Sequence, residues 1–401
     1  MLCAVGRGLK SGDPRRQLFR GLPRMTSFHL LRQALDLATQ SLTLTPPNPR
    51  VGCVIVSQDG TLVGQGHTQE VGGPHAEIMA LRNAGELGNS VRGATAYVTL
   101  EPCSHHGRTG PCCDALISAG IKKVVATNAD PNPLVAGQGF ARLRAAGIEV
   151  EVLASDHPLA IQARELNIGF FSRMIRKRPW VRMKIAASLD GKTALTNGVS
   201  QWITAPEARK DGHAWRARAC AVLTGIGTIL HDQPRLDVRL VKTQRQPHIV
   251  IVDSNMQTPT DAAVFIENRP VLIYAAVQNQ AKNIALGSCG ATIICSPGTS
   301  FDGSPSGKVD LDAMLLDLGR REVNELHVEA GHRLNGSLIK EGLVDEMLIY
   351  IAPKLLGQGR EMADFGPLTS LDQGLQLDFV SSTSVGPDLR ILARVRGRDV
   401  F

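Results

Sequence analysis

A chain of 401 residues, 43% hydrophobic and 20% charged, holds more apolar material than one core usually takes, so two domains are expected. A net charge of +7 permits anionic partners, yet three Trp, three Tyr and no basic–aromatic interleaving favour a small phosphorylated molecule over nucleic acid. No run of about 18 apolar residues occurs, so no membrane-spanning helix is expected, and eight cysteines in a chain this long do not form a disulfide framework.

Residues 1–24 carry six Arg/Lys and one acid without apolar periodicity. They read as a disordered leader, an organellar transit peptide, or the product of an upstream start with Met25 the true one. From Thr26 a pattern begins. Phe28, Leu31, Leu35, Ala38 and Leu42 recur at steps of three and four, which predicts an amphipathic helix. Thr45-Pro-Pro-Asn-Pro49 ends it, since prolines withdraw donors and restrict the preceding residue. Val51–Val56 reads as a buried strand with Cys53 as a small core hydrophobe, and Asp59-Gly60 turns the chain into a strand over Thr61–Gly66. A helix is predicted from His75 to Asn83, a strand from Ala94 to Leu100, and a helix from Cys112 to Ala119 behind Pro111. Strands at Lys123–Asn128 and Ile148–Leu153 flank a helix at Phe140–Ala146, and a further helix runs from Pro158 to Phe170. The alternation predicts a three-layer α/β/α domain over 25–172, with Arg173–Pro179 as a charged connector.

The second half opens with a strand at Trp180–Ala187 and a turn at Ser188–Gly191. Thr204-Ala-Pro-Glu207 has the form of a capping box leading a helix to Ala219. Strands follow at Ala221–Leu223, His248–Val252, Val271–Ala275, Ala291–Cys295, Glu325–Glu329 and Met347–Ile351, with helices at Leu311–Arg320 and Leu334–Gly342. A second α/β domain over 180–401 is therefore expected. No Gly-x-Gly-x-x-Gly follows a strand, so the usual dinucleotide fingerprint is absent. Glu329-Ala-Gly331 runs into a helix whose free amides suit a pyrophosphate, although glycine at such turns is commonplace.

The chemistry concentrates between Pro74 and Cys113. Pro74-His75-Ala76-Glu77 is followed by Glu101-Pro102-Cys103 and Pro111-Cys112-Cys113. One imidazole and two thiolates leave one tetrahedral position of a zinc ion open, as catalytic zinc requires. Zinc lowers the pKa of water to near neutrality, and Glu77 is the acid placed to carry a proton from that water to departing ammonia. This is the H-x-E…P-C-x-x-C grammar of nucleobase deaminases, with eight residues between Cys103 and Cys112 in place of two. Cys112 falls at a predicted helix N-terminus, which favours its thiolate. A closed structural site with Cys113 as fourth ligand is the alternative. His105, His106 and Arg108, in the loop between the two thiols, are placed to hold a phosphate or ring carbonyl. Clustered cysteines of this kind point to a reducing compartment, the cytoplasm.

Thr45-Pro-Pro-Asn-Pro-Arg-Val-Gly-Cys-Val-Ile-Val56, Pro74-His-Ala-Glu77, Thr99-Leu-Glu-Pro-Cys-Ser-His-His-Gly-Arg-Thr109 and Asp130-Pro-Asn-Pro133 resemble the bacterial bifunctional riboflavin-biosynthesis deaminase/reductases. So do Ala187-Ser-Leu-Asp-Gly-Lys192, Ser200-Gln-Trp-Ile-Thr204, Val328-Glu-Ala-Gly331 and Tyr350-Ile-Ala-Pro-Lys-Leu-Leu-Gly357, in the same order and up to the C-terminus. The resemblance implies a cytidine-deaminase-like domain followed by a dihydrofolate-reductase-like one, with Zn²⁺ and NADPH as cofactors. It implies deamination of a ribosylaminopyrimidine phosphate, then reduction of its ribose to ribitol. By the same resemblance His75, Cys103 and Cys112 hold zinc, Glu77 shuttles the proton, and Asn48, His105, Arg108 and Asp130 contact the first substrate. Ala186, Trp202, Thr228, Asp232, Ser254 and the turn Gly331, His332, Arg333, Leu334, Asn335, Gly336 and Ser337 would meet NADPH. Ser200, Arg216, Leu236, Arg239 and Glu329 would meet the second substrate, with Lys184 and Asp190 nearby. His213, His248, His327, Cys220, Cys289 and Cys295 are read as residues without chemistry. A tRNA or free-base deaminase with an inert second domain, and a non-catalytic zinc scaffold, are the competing readings. Homo-oligomerisation is left open.

Overall fold

Most of the predicted elements form, and the exceptions are informative. A computed structural model describes residues 26–105, 110–133, 135–300 and 302–401. The leader, His106 and Arg108 thus lie outside the described residues. The apolar stripe of α1 (Ser27–Thr39) buries Leu30, Leu31, Ala34, Leu35 and Ala38 against β1 (Gly52–Val56), which is buried along its whole length. A Cβ on Gly52 would lie 1.9 Å from the Ala34 carbonyl oxygen, so only glycine lets the helix press this closely on the strand. There follow β2 (Leu62–His67), α2 (Ala76–Glu86), β3 (Thr95–Val98), α3 (Cys112–Ser118), β4 (Lys123–Ala126), α4 (Gln138–Ala145), β5 (Glu149–Val152), α5 (Pro158–Leu166) and α6 (Ile168–Arg176). The sheet order is β2-β1-β3-β4-β5. β1 is antiparallel to both neighbours, and β3, β4 and β5 are parallel.

The stretch expected to be a connector is helical as far as Arg176, and α6 buries Phe170 and Phe171. Only Lys177–Pro179 lies between α6 and the next strand, with Lys177 left-handed at φ 62.

The second half contains β6 (Trp180–Ser188), β7 (Ala194–Leu195), α7 (Pro206–Arg218), β8 (Ala221–Gly225), α8 (Ile226–Asp232), β9 (His248–Val252), β10 (Val271–Ala275) and α9 (Gln280–Ser288). It continues through β11 (Ala291–Cys295), β12 (Pro297–Thr299), β13 (Pro305–Val309), α10 (Leu311–Arg320), β14 (Glu325–Val328), α11 (His332–Lys340), β15 (Glu346–Ala352), β16 (Gly359–Arg360), β17 (Leu377–Val385) and β18 (Asp388–Val395). Nine strands form one sheet in the order β11-β10-β9-β8-β14-β6-β15-β18-β17. It is parallel from β11 to β15 and antiparallel at β18 and β17.

Three expectations change. The capping box does not form: the N-cap of α7 is Ala205, whose N–H is taken by Asp388 Oδ2 of β18 at 2.7 Å. A partner remote in sequence thus replaces the local one. The hairpin β17–β18 was not anticipated, because β17 is largely exposed and polar and lacks the apolar alternation of a half-buried strand. Helices α8 and α9 were missed as well; α8 has only seven residues and α9 buries a single leucine.

The two halves meet through a buried ring of charges. Arg50 and Glu165 belong to the first half. Glu325 accepts from Arg50 (2.6 Å), Arg182 (2.9 Å) and Arg218 (2.7 Å). Arg182 continues to Glu346 (2.6 Å), Glu346 to Arg394 (3.1 Å), and Arg394 forks onto both oxygens of Glu165 at 2.8 Å. Arginine suits this task because its planar fork serves two carboxylates at once.

Candidate active sites

His75 is the N-cap of α2 and Glu77 lies in its first turn. Cys103 follows β3, and Cys112 opens α3 behind Pro111. Their ligating atoms come together. His75 Nδ1 is 3.6 Å from Cys103 Sγ and 3.4 Å from Cys112 Sγ, and all three atoms lie within 4.8 Å of one another. Two ligands on one tetrahedral zinc stand about 3.5 Å apart for S and N at their usual bond lengths, so the donor set fits that ion. Cys113 is turned away, its Sγ donating to the carbonyls of Pro102 (3.2 Å) and Gly139 (3.5 Å). The closed four-ligand alternative therefore has no fourth thiol aimed at the centre.

The helix N-terminus acts differently from expectation. The Cys112 N–H donates to Cys103 Sγ at 3.4 Å, so the first amide of α3 serves Cys103. Together with the Cys112 thiol and the His75 ring it holds the Cys103 thiol below its ordinary range. Glu77 is 3% exposed, and burial pushes its carboxyl up to about 7. A carboxyl so placed can both take and give a proton near neutrality.

Asp130 is buried close to this centre, and burial raises it to about 7. Its loop hangs on Glu101, a residue that sequence reasoning did not single out. Glu101 accepts the amides of Asp130 (3.1 Å), Gly137 (2.9 Å) and Phe140 (3.1 Å). Its place before Pro102-Cys103 was the available signal. Asn48 sits half-buried in a turn closed by its own N–H on the Thr45 carbonyl at 2.9 Å, with a cis Pro46–Pro47 bond. Its side-chain amide makes no hydrogen bond among the described residues. His105 is exposed.

In the second half Arg216 and Glu329 meet each other. Arg216 Nε and Nη2 donate to the two Glu329 oxygens at 2.7 and 2.9 Å, and its Nη1 to the Asp237 carbonyl. The arginine is thus committed to fixing the carboxylate. Lys184 Nζ lies 4.0 Å from Glu329, and burial lowers its pKa. His327, fully buried, brings Nε2 to 3.6 Å from the same carboxylate. His213 was set aside by the sequence reading, yet its Nδ1 accepts the Arg239 amide at 3.2 Å. Arg239 Nη1 reaches Asp237 at 2.6 Å, and Leu236 is buried at φ 51. Ser200 is half-buried. Asp190 braces backbone: it accepts the amides of Leu356 and Gly357.

Of the expected cofactor residues, Thr228 and the segment 331–337 come together at the start of α11. Thr228 Oγ1 lies 3.9 Å from where a Gly331 Cβ would stand, so α8 and the Gly331 turn face each other. Thr224 Oγ1 and Asn335 Oδ1 are buried without partners among the described residues, as groups awaiting a polar ligand would be. A cavity of about 480 Å³ beside the turn is lined by His332, Arg360, Asp364 and Phe365. These residues fit a dinucleotide. Gly336 faces elsewhere: its Cβ would fall 1.7 Å from the Asp364 carbonyl oxygen. Trp202 is 61% exposed and stacks under Arg209 at 4.4 Å, Ala186 lies on β6, Asp232 ends α8, and Ser254 Oγ accepts the Val309 amide.

A His/Cys/Cys donor set with a buried carboxyl in one half, and a cleft at the start of α11 in the other, are the features of a bifunctional deaminase–reductase. Residues 26–128 match the cytidine and deoxycytidylate deaminase zinc-binding region, and residues 179–391 match the RibD C-terminal domain. Riboflavin biosynthesis protein RibD of Escherichia coli is 43% identical over 91% of this chain and 98% of its own, and that of Aquifex aeolicus 41% over 90% and 96%. Among solved structures, Acinetobacter baumannii RibD superposes with a TM-score of 0.81 at 39% identity, covering 92% of this chain and 98% of that one. A Thermotoga maritima diaminohydroxyphosphoribosylaminopyrimidine deaminase/5-amino-6-(5-phosphoribosylamino)uracil reductase gives 0.79 at 31% identity, with the same coverage. The chain belongs to the RibD family of riboflavin-biosynthesis enzymes.

Proposed function

We propose that the chain performs two consecutive steps of riboflavin synthesis. The first is hydrolytic deamination of 2,5-diamino-6-ribosylamino-4(3H)-pyrimidinone 5′-phosphate. The second is NADPH-dependent reduction of its ribosyl group, giving 5-amino-6-ribitylaminouracil 5′-phosphate. We assign the first to residues 25–172 and the second to 180–401. The observation that carries the reading is the His75–Cys103–Cys112 cluster with Glu77 buried beside it.

His75, Cys103 and Cys112 would hold zinc, which when bound would supply the Lewis acidity that makes water a nucleophile at neutral pH. Glu77 takes the proton of the attacking water and returns it to the departing 2-amino nitrogen, so water enters and ammonia leaves. Asn48, His105, Arg108 and Asp130 orient the pyrimidine and its phosphate. In the second half Ala186, Trp202, Thr228, Asp232, Ser254 and the segment 331–337 at the start of α11 would hold NADPH, which when bound would supply the hydride. Glu329, fixed by Arg216, and Ser200 orient the sugar. Arg239 and the loop at Leu236 receive the phosphate, and Lys184 is placed to supply the proton that accompanies the hydride.

The test is Glu77→Gln. Zinc content should stay at one per chain while ammonia release falls by about 10²–10⁴-fold; unchanged release would overturn the proton-shuttle role. The competing scaffold reading expects no turnover in either protein.

The setting is cytoplasmic in this reading, supported by free thiols at all seven described cysteines. Among the described residues no helix is long and apolar enough to cross a membrane. Association of identical chains is supported by β17, a sheet edge with Phe379 79% exposed.

A further inference from the structure

The loop that carries Asn48 is poorly able to brace itself. Pro46, Pro47 and Pro49 have no N–H to give, and the carbonyls between them need donors from elsewhere. One donor is local, Arg173 Nη2 of α6 reaching the Pro47 carbonyl at 3.4 Å, and the shorter contacts come from the other half of the molecule. Arg245 Nε donates to the Thr43 carbonyl at 3.0 Å, and Asn324 Nδ2 to the Pro47 carbonyl at 2.9 Å. Glu325 Oε1 accepts from Arg50 Nη1 at 2.6 Å. Asn324 is itself fixed, since its Oδ1 accepts from Arg173 Nε at 2.6 Å and its N–H donates to Cys220 Sγ at 3.3 Å. Arg50, Asn324 and Glu325 are 5%, 5% and 1% exposed. From the loop's own side, Asn167 brackets Arg50, accepting its N–H at 2.7 Å and donating to its carbonyl at 2.9 Å. Both flanks of Asn48 are clamped while its own amide is left free for a ligand.

We propose that Asn324, Glu325 and Arg245, all in the reductase half, are positioning residues for the deaminase reaction. They hold the Thr43–Arg50 loop, so the pyrimidine-binding side of the deaminase site takes its working shape only with the reductase half docked. The proposal rests on the reading of Asn48 as a substrate contact.

The experiment uses the full-length, zinc-loaded enzyme carrying Asn324→Asp. This change keeps the side chain's shape and its acceptor for Arg173, and replaces the donor to Pro47 by a carboxylate oxygen. The KM of the diaminopyrimidine phosphate in deamination should rise about fivefold, the loss of one hydrogen bond's worth of placement. Deaminase kcat should change by less than about twofold, and zinc content and the KM for NADPH should stay as in the parent. Arg245→Met should move the same KM in the same direction, and it carries the test if Asn324→Asp does not fold. Asn48→Ala separates the two ideas. A native KM in Asn48→Ala with raised values in the other two would unseat Asn48 and leave the brace standing. A raised KM in Asn48→Ala with native values in both reductase-half variants would overturn the brace. Equal losses in both activities with falling zinc content would mark general damage and overturn it too.

Discussion

His213 shows how a residue dismissed as inert acquires a role and a pH signature. It is 5% exposed and accepts the Arg239 amide. Burial, reinforced by the cations of Arg216 and Arg239, pulls its pKa from the ordinary 6.5 to about 4. Between those values the unfolded chain binds a proton that the native state refuses. Stability present above pH 6.5 is therefore lost as pH falls toward 4, at up to about 1.4 kcal/mol per pH unit. His213→Gln, which keeps an acceptor and cannot titrate, should narrow the difference in urea midpoint between pH 7 and pH 5; an unchanged difference would acquit His213. That His75, Cys103 and Cys112 would cluster was legible in the sequence, because a few residues at short spacing mark them. The Arg216–Glu329 fork was not: both residues were named, as separate substrate contacts, and their pairing across 113 positions leaves no local trace.

At the scale of elements, β14 and α11 bracket Glu329 and the Gly331 turn. β14 begins at Glu325, in the interdomain ring, and Glu329 follows its last residue. α11 then presents the Gly331 turn on one side and packs Gly336 on the Asp364 backbone on the other. Gly336→Ala forces that backbone to move, at a cost of about 1–3 kcal/mol. We expect a lower melting temperature, weaker NADPH binding and an unchanged deaminase rate. Native NADPH affinity in that variant would show that the loop after Met362 has no part in shaping the cleft. The parallel strands of this half could be read from apolar runs, since strands buried on both faces leave continuous hydrophobic stretches. The edge hairpin β17–β18 leaves no such mark, with β17 largely polar and exposed.

Over the whole molecule, the ring Arg50–Glu325–Arg182–Glu346–Arg394–Glu165 joins the two halves, and we expect them to unfold together because of it. Arg182 is 2% exposed and serves two carboxylates. Arg182→Met removes one cation from Glu346, which keeps Arg394, and one from Glu325, which keeps Arg50 and Arg218, and the loss of these charged hydrogen bonds should cost about 1.5–3 kcal/mol. Scanning calorimetry should then resolve two transitions where the parent gives one; a single transition at the parent's temperature would show that the ring contributes little. Two domains were predictable from length and from the change of pattern near residue 180. Their docking was not, because the arginines involved read as ordinary surface cations until partners up to 275 positions away are seen.

That ring also bears on how such a fused enzyme can change over generations. A new residue at Glu325 is judged by Arg50 as well as by its immediate neighbours. A chimaera joining this N-terminal half to a relative's C-terminal half would bring in mismatched charges wherever that relative differs at these positions. Each parental half would be sound, and such a mismatch would still weaken the hybrid. The two catalysts are thereby inherited as a matched pair, bound by their seam as much as by the pathway they serve.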